Sequence, residues 1–217
     1  MNNLQKIYSI TFQTGFFNAI LTTALLLMTP TASAGTIFGT GSPYDAIPGG
    51  TVIDFDSTAA EPGLSKLEIK NVTLVSDTKF NIGDGYRDLY NTSGRAFSSP
   101  EGGKIWLNFT TTVDAFAFNM GGHDLTWTLR GYSSDGNLID SLVIAAIHSN
   151  NNGEYYGITG SGISYGILST SDPMDYILLD NITYNVAVIP VPAALPLFLT
   201  GLAGLGFLAR RRKKHSL

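Results

Sequence analysis

Through the middle of the chain, apolar and polar residues alternate in short runs, with turn-forming residues between them. In "DAFAFNM" (Asp114–Met120) Phe116 and Phe118 share one side, and in "LTWTLR" (Leu125–Arg130) Leu125, Trp127 and Leu129 do. A period of two is what a strand buried on one face requires. The same pattern predicts strands at "TVIDF" (Thr51–Phe55), "NVTLV" (Asn71–Val75), "KIWLNF" (Lys104–Phe109) and "LIDSLVIAAI" (Leu138–Ile147). It predicts three more at "YYGIT" (Tyr155–Thr159), "ISYGIL" (Ile163–Leu168) and "YILLDNITY" (Tyr176–Tyr184). The connectors "NMGGHD", "SSDGN", "SNNNGE" and "TSDPMD" are turn chemistry. There Gly supplies positive φ, and Asn or Asp bonds its own backbone.

Nine such strands with no helical period among them predict an all-β fold. The expected architecture is an antiparallel β-sandwich of jelly-roll type over residues 51–186. Residues 35–50 ("GTIFGTGSPYDAIPGG"), rich in Gly and Pro, read as an irregular lead-in.

Both ends break the alternation. At the start, Lys6 precedes an apolar run (Thr14–Met28), Pro30 and the small residues Ala32 and Ala34. This is the layout of a secretory signal peptide over 1–34, cut after Ala34 to leave Gly35 first. At the other end, Pro190, Val191, Pro192 and Pro196 lead into an uncharged segment, and Arg210, Arg211, Arg212, Lys213 and Lys214 follow it. Residues 193–209 make a helix of about 26 Å, enough to cross a bilayer core once. The basic run then stays cytoplasmic and leaves the β domain on the far side. The prolines deny helix and strand, so an extended stretch is presented at the membrane face.

A leader, a β-rich body and a Pro motif–helix–Arg tail resemble the PEP-CTERM proteins of Gram-negative bacteria. Their usual Val-Pro-Glu-Pro motif reads "IPVP" here, with Ile189 for the first Val and Val191 for the Glu. Together with "AALPLF", it is similar to the Val-Pro-x-Pro-Ala-Ala-Leu-Pro-Leu-Phe variant of that tail. The resemblance covers 187–217, with the motif at 189–198. It implies an exported protein held in the inner membrane with its domain periplasmic. An exosortase-type enzyme would then process the tail, releasing the domain to the cell surface or beyond. A plain single-span anchor with a stiff linker is the alternative.

Charge changes the picture of partners. The chain carries 13 basic and 17 acidic residues, but Lys6 and the five tail residues take six of the bases and no acid. The body therefore holds 7 basic against 17 acidic residues, a balance of −10. Such a surface repels nucleic acid and anionic lipid and is compatible with cations and neutral glycans. There is no cysteine, so thiol chemistry and Cys-built zinc sites are excluded.

Candidate chemistry in the body is sparse. His123, His148 and His215 are too few and too scattered for a metal cluster, and no G-x-S-x-G marks a hydrolase. Carboxylate pairs such as Glu61 with Glu68 or Glu101 with Glu154 could serve a glycosidase, but nothing selects one. Calcium is the cofactor the acids suit best. Asp54 and Asp56 on the first strand and Asp180 on the last converge if those strands are neighbours. Tyr132, Tyr155 and Tyr156, beside Asn and Asp, are candidates for stacking on sugars, with Tyr86 and Tyr90 in similar settings. "YYGI" followed by "YILLDNITY" loosely resembles the carbohydrate-binding-module-like domains of exported bacterial proteins. The expected function is a non-enzymatic surface or matrix component associated with exopolysaccharide. The alternatives are a membrane-anchored carbohydrate-binding module and, third, an exported glycan hydrolase.

Overall fold

The alternating runs become ten strands and one short helix among the residues that the structure, a computed structural model, describes: 33–84, 89–147, 151–172 and 174–186. In chain order these are β1 (Gly35–Thr40), α1 (Pro43–Ala46), β2 (Thr51–Ile53), β3 (Glu61–Ile69), β4 (Val72–Gly83) and β5 (Ala96–Ser99). Then come β6 (Lys104–Gly121), β7 (Trp127–Tyr132), β8 (Leu138–Ile144), β9 (Glu154–Ser169) and β10 (Ile177–Val186). The leader as far as Ala32, the motif Pro190, Val191, Pro192 and Pro196, the expected helix and the basic run Arg210–Lys214 lie outside the described residues, as do Tyr86 and His148. Among the described residues no helix is long and apolar enough to cross a membrane.

All strand pairings are antiparallel, and their registers define two layers. The first runs β3–β4–β6–β9–β7–β8, using Lys104–Asn108 of β6 and Tyr165–Ser169 of β9. The second runs β1–β9–β6–β10, using Tyr155–Thr159 of β9 and the later part of β6; β2 and β5 add to β10, and β5 reaches the far end of β4. The result is an antiparallel β-sandwich whose layers are joined. Runs expected as separate strands, "KIWLNF" with "DAFAFNM" and "YYGIT" with "ISYGIL", are each one strand that turns the corner from layer to layer. Register slips between Asn108 and Ala115 mark the turn in β6, and Gly162, at φ +76°, marks it in β9. Bends of this kind are how strands pass between packed sheets.

The slip also resets which residues face inward. Before it Ile105, Leu107 and Phe109 enter the core, and after it Phe116, Phe118 and Met120 do. An added residue flips the face of everything beyond it. Trp127, Leu129, Leu168, Ile182 and Tyr184 complete the filling. Each such side chain contributes about 1.5–3 kcal/mol by leaving water.

The lead-in is not irregular. Gly35–Thr40 pairs along β9, and Ser42 caps α1 by accepting the Tyr44 amide, with Pro43 at its first turn. Ile37 and Ile47 pack onto Ala115 and Ala117, covering the outer side of the second layer. The alanines leave room for that cover. Strands β3 and β5 were also absent from the sequence reading.

One end of the sandwich is closed by the loop following Leu89. Tyr90 and Asn91 take left-handed φ values of 52° and 66°. Asn91 donates to the Met120 carbonyl at 2.8 Å and accepts the Gly153 amide at 2.7 Å. A Cβ at Gly121 would stand 1.8 Å from the Tyr90 carbonyl oxygen, so only glycine lets the loop sit down. Gly121→Ala is expected to cost about 1–3 kcal/mol, seen as a lower urea midpoint at an unchanged m-value.

Candidate functional site

In β6, Ile105, Leu107 and Phe109 point inward, so Lys104, Trp106 and Asn108 take the opposite phase and face out of the first layer. The register carries that face across neighbouring strands. Trp106 stands opposite Val75 on β4 and Ile167 on β9, and Ile167 opposite Arg130 on β7. The next row places Thr73, Asn108, Tyr165 and Tyr132 side by side. Trp106, Tyr132, Tyr165, Ile167 and Val75 are all half-buried rather than covered. The Tyr132 and Tyr165 rings stack, with centroids 5.0 Å apart and planes 13° from parallel.

This patch is unusual for a solvent face, where a sandwich strand normally turns polar residues outward. Three aromatic side chains bordered by Asn108, Thr73, Thr128 and Arg130 offer C–H contact area ringed by hydrogen-bonding groups. An exposed aromatic cluster with a polar rim is the usual mark of a binding surface.

Of the predicted tyrosines, only Tyr132 lies on this patch. Tyr156 faces inward from β9 and packs against the core, where burial raises its pKa. Tyr155 alternates to the outer side of the second layer, against Gly39 of β1. The three thus point three ways: Tyr155 and Tyr156 are successive residues of β9 and face opposite sides of the second layer, while Tyr132 belongs to β7 in the first layer. Trp106 and Tyr165 were missed. Their signal was present as large aromatics on the solvent phase of otherwise regular strands, but only register gathers them.

Asp54, Asp56 and Asp180 fall where β2 and β10 pair, Ile53 opposite Ile182, so the first and last predicted strands are indeed neighbours. Asp180 is fully buried. One oxygen accepts the Ser93 amide at 2.8 Å and its hydroxyl at 3.3 Å, and the other accepts the Asn181 amide at 2.7 Å. Burial pushes its pKa up to about 7, with Asp56 adding repulsion and the hydrogen bonds opposing. Asp56 accepts the Arg95 amide at 2.7 Å, and Asp54 accepts the Asp56 amide. Among the described residues, no three His, Cys, Asp or Glu side chains are grouped to hold a metal.

His123 and Asp175 sit in a buried polar cluster. Asp175 accepts the Trp127 indole N–H at 2.6 Å and the amides of Asp124 at 2.8 Å and Leu125 at 3.3 Å. His123 Nε2 lies 3.0 Å from the Ala145 carbonyl, which can only accept, so Nε2 carries the proton. Its Nδ1 is buried without a partner, and burial lowers the pKa. A depression of about 460 Å³ is lined by Ser65, Ser76, Asp77, Thr78, Lys79 and Glu101.

No family model and no curated protein matches the chain. Among solved structures it is similar to a cleaved adhesin domain of Lys-gingipain, at 11% identity over 64% of this chain and 99% of that one, TM-score 0.42. It is similar also to a variant family 29 carbohydrate-binding module, at 10% identity over 65% and 99%, TM-score 0.33. A low-affinity xylan-binding module from Roseburia intestinalis matches at 12% identity over 70% and 95%, TM-score 0.29. All three are distant.

Proposed function

We propose that the β-sandwich is a non-catalytic polysaccharide-binding domain, carried by an exported protein that reaches the cell surface or extracellular matrix. One observation carries the binding half: Trp106, Tyr132 and Tyr165 share a half-exposed face of the first layer. A sugar ring presents C–H groups on its faces and hydroxyls at its rim. The patch answers with aromatic carbon in the middle and Asn108, Thr73 and Thr128 around it. The delivery half is supported by the leader-like start and the PEP-CTERM-like tail. It is consistent with a strand that begins at Gly35, the residue after the expected cut. An inner-membrane stage and an exosortase-type processing enzyme belong to the same proposal.

The test is electrophoresis of the full chain, in a non-ionic detergent, through gels containing a panel of soluble polysaccharides. Retardation by at least one polymer is expected. Trp106→Ala should weaken it at least tenfold, and Tyr155→Phe, on the other layer, should leave it unchanged. Retardation that survives Trp106→Ala, or absence of retardation across the panel, sinks the binding reading. Degradation of the polymer during the run would favour the hydrolase alternative.

A further inference from the structure

The bound polymer's chemistry is legible in the charges around the patch. The body of the chain is strongly acidic, yet the outer face of the first layer is not. By strand phase and register it carries Lys66, Lys104 and Arg130 against two acids, Glu68 and Asp77. Glu68 is already engaged by Lys66 in an ion pair. Asp77 lies at the margin, where its carboxylate accepts the Lys104 amide.

Arg130 stands on the border of the aromatic patch. Ile167, next to Trp106, is its neighbour on one side and Ser141 its neighbour on the other. Its contact with the Ser169 hydroxyl is long, at 3.5 Å, and no carboxylate among the described residues forms an ion pair with it. A guanidinium has five N–H donors in a planar fork that fits a carboxylate with two parallel bonds. One held among aromatic and aliphatic side chains, and left without a counter-ion, is poised for an anion brought by the ligand.

We propose that the ligand is an anionic polysaccharide of the uronic-acid type, whose carboxylate pairs with Arg130 while its sugar ring lies on Trp106 and the Tyr132–Tyr165 pair. This rests on the polysaccharide-binding reading and narrows it. The acidic remainder of the domain does not forbid it. At physiological salt the screening length is about 8 Å, so charges elsewhere on the sandwich are largely silenced while a direct contact persists.

The experiment compares polygalacturonate with its carboxyl-reduced, neutral derivative, using the full chain in a non-ionic detergent at physiological and high sodium chloride. The acid polymer is expected to bind at least tenfold more tightly at physiological salt, with the difference shrinking at high salt. Arg130→Gln should remove the preference between the two polymers, and Arg130→Lys should keep part of it. Equal binding of the two polymers, or a preference that survives Arg130→Gln, overturns the anionic assignment and leaves the polysaccharide-binding reading intact. Loss of all Trp106-dependent binding, to these polymers and to the neutral panel, overturns both.

Discussion

Replacing Asp175 by alanine is expected to destabilise the domain by about 3–5 kcal/mol, the loss set by buried donors left without a partner. Three N–H groups converge on this carboxylate, and the closest belongs to Trp127, among the largest fully buried side chains. Alanine strands the indole N–H in the core and frees the Asp124–Leu125 turn that leads into β7. A domain of this size has about 5–15 kcal/mol of stability in all, so the variant should sit near the edge of folding. The thermal midpoint should fall by about 10 °C or more. Asp175→Asn retains an oxygen for the indole and should lose less. A midpoint within 2–3 °C of the parent for Asp175→Ala would show that water or another acceptor replaces the carboxylate.

The second large effect is a dependence on pH with an unusual sign. Asp180 has its pKa raised from 3.8 to about 7 in the folded state. The folded protein therefore binds this proton more tightly than the unfolded chain does. The associated stability is full below the unfolded value and is lost as pH rises through the folded one. Between about pH 4 and pH 7 it amounts to no more than about 4 kcal/mol. His123 works the other way. Its folded pKa is lowered by burial, so the unfolded chain takes up a proton first and stability falls as the pH drops below 6.5. Melting in a metal-free buffer should show Asp180 as a gain on acidification from pH 8 that His123 partly offsets. In Asp180→Asn the gain should vanish, leaving a steady loss below pH 6.5. A variant that keeps the parent's profile would remove Asp180 as its source. Running the scan again with calcium tests the expected cation: a charge held against Asp180 and Asp56 would flatten the parent's curve.

The period of two was reliable wherever a strand buries a whole face. Ile105, Leu107 and Phe109, then Phe116 and Phe118, then Trp127 and Leu129 enter the core as their alternation implies. The strands it missed are those too exposed or too short to display a period. In β3 most positions are exposed or half-exposed, and β5 is four residues long. In β1, glycines at 35 and 39 replace the side chains that would have shown a face, and Tyr155 lies against Gly39. The corners were hidden for a different reason. The Gly-Ser-Gly stretch at 160–162 looks like a turn, and at 110–112 the alternation is broken by three threonines, but the backbone continues through both in one strand. The binding patch suffered from the same gap: Trp106, Tyr132 and Tyr165 come from three strands, and only cross-strand register makes them neighbours.

The joined layers bear on when this domain can take shape. Strand β6 is the spine of both layers, yet two of its partners, β9 and β10, are the last to leave the ribosome, and β1 and β2 must wait for them as well. Until residues beyond Glu154 have emerged, the pairs that can form are the β3–β4 and β7–β8 hairpins, β4 with β5 and β4 with β6, and nothing yet joins β7–β8 to the rest. Closure is thus deferred until β9 and β10 have been made. A polypeptide that stays open for so long is suited to being threaded through a narrow channel before it folds.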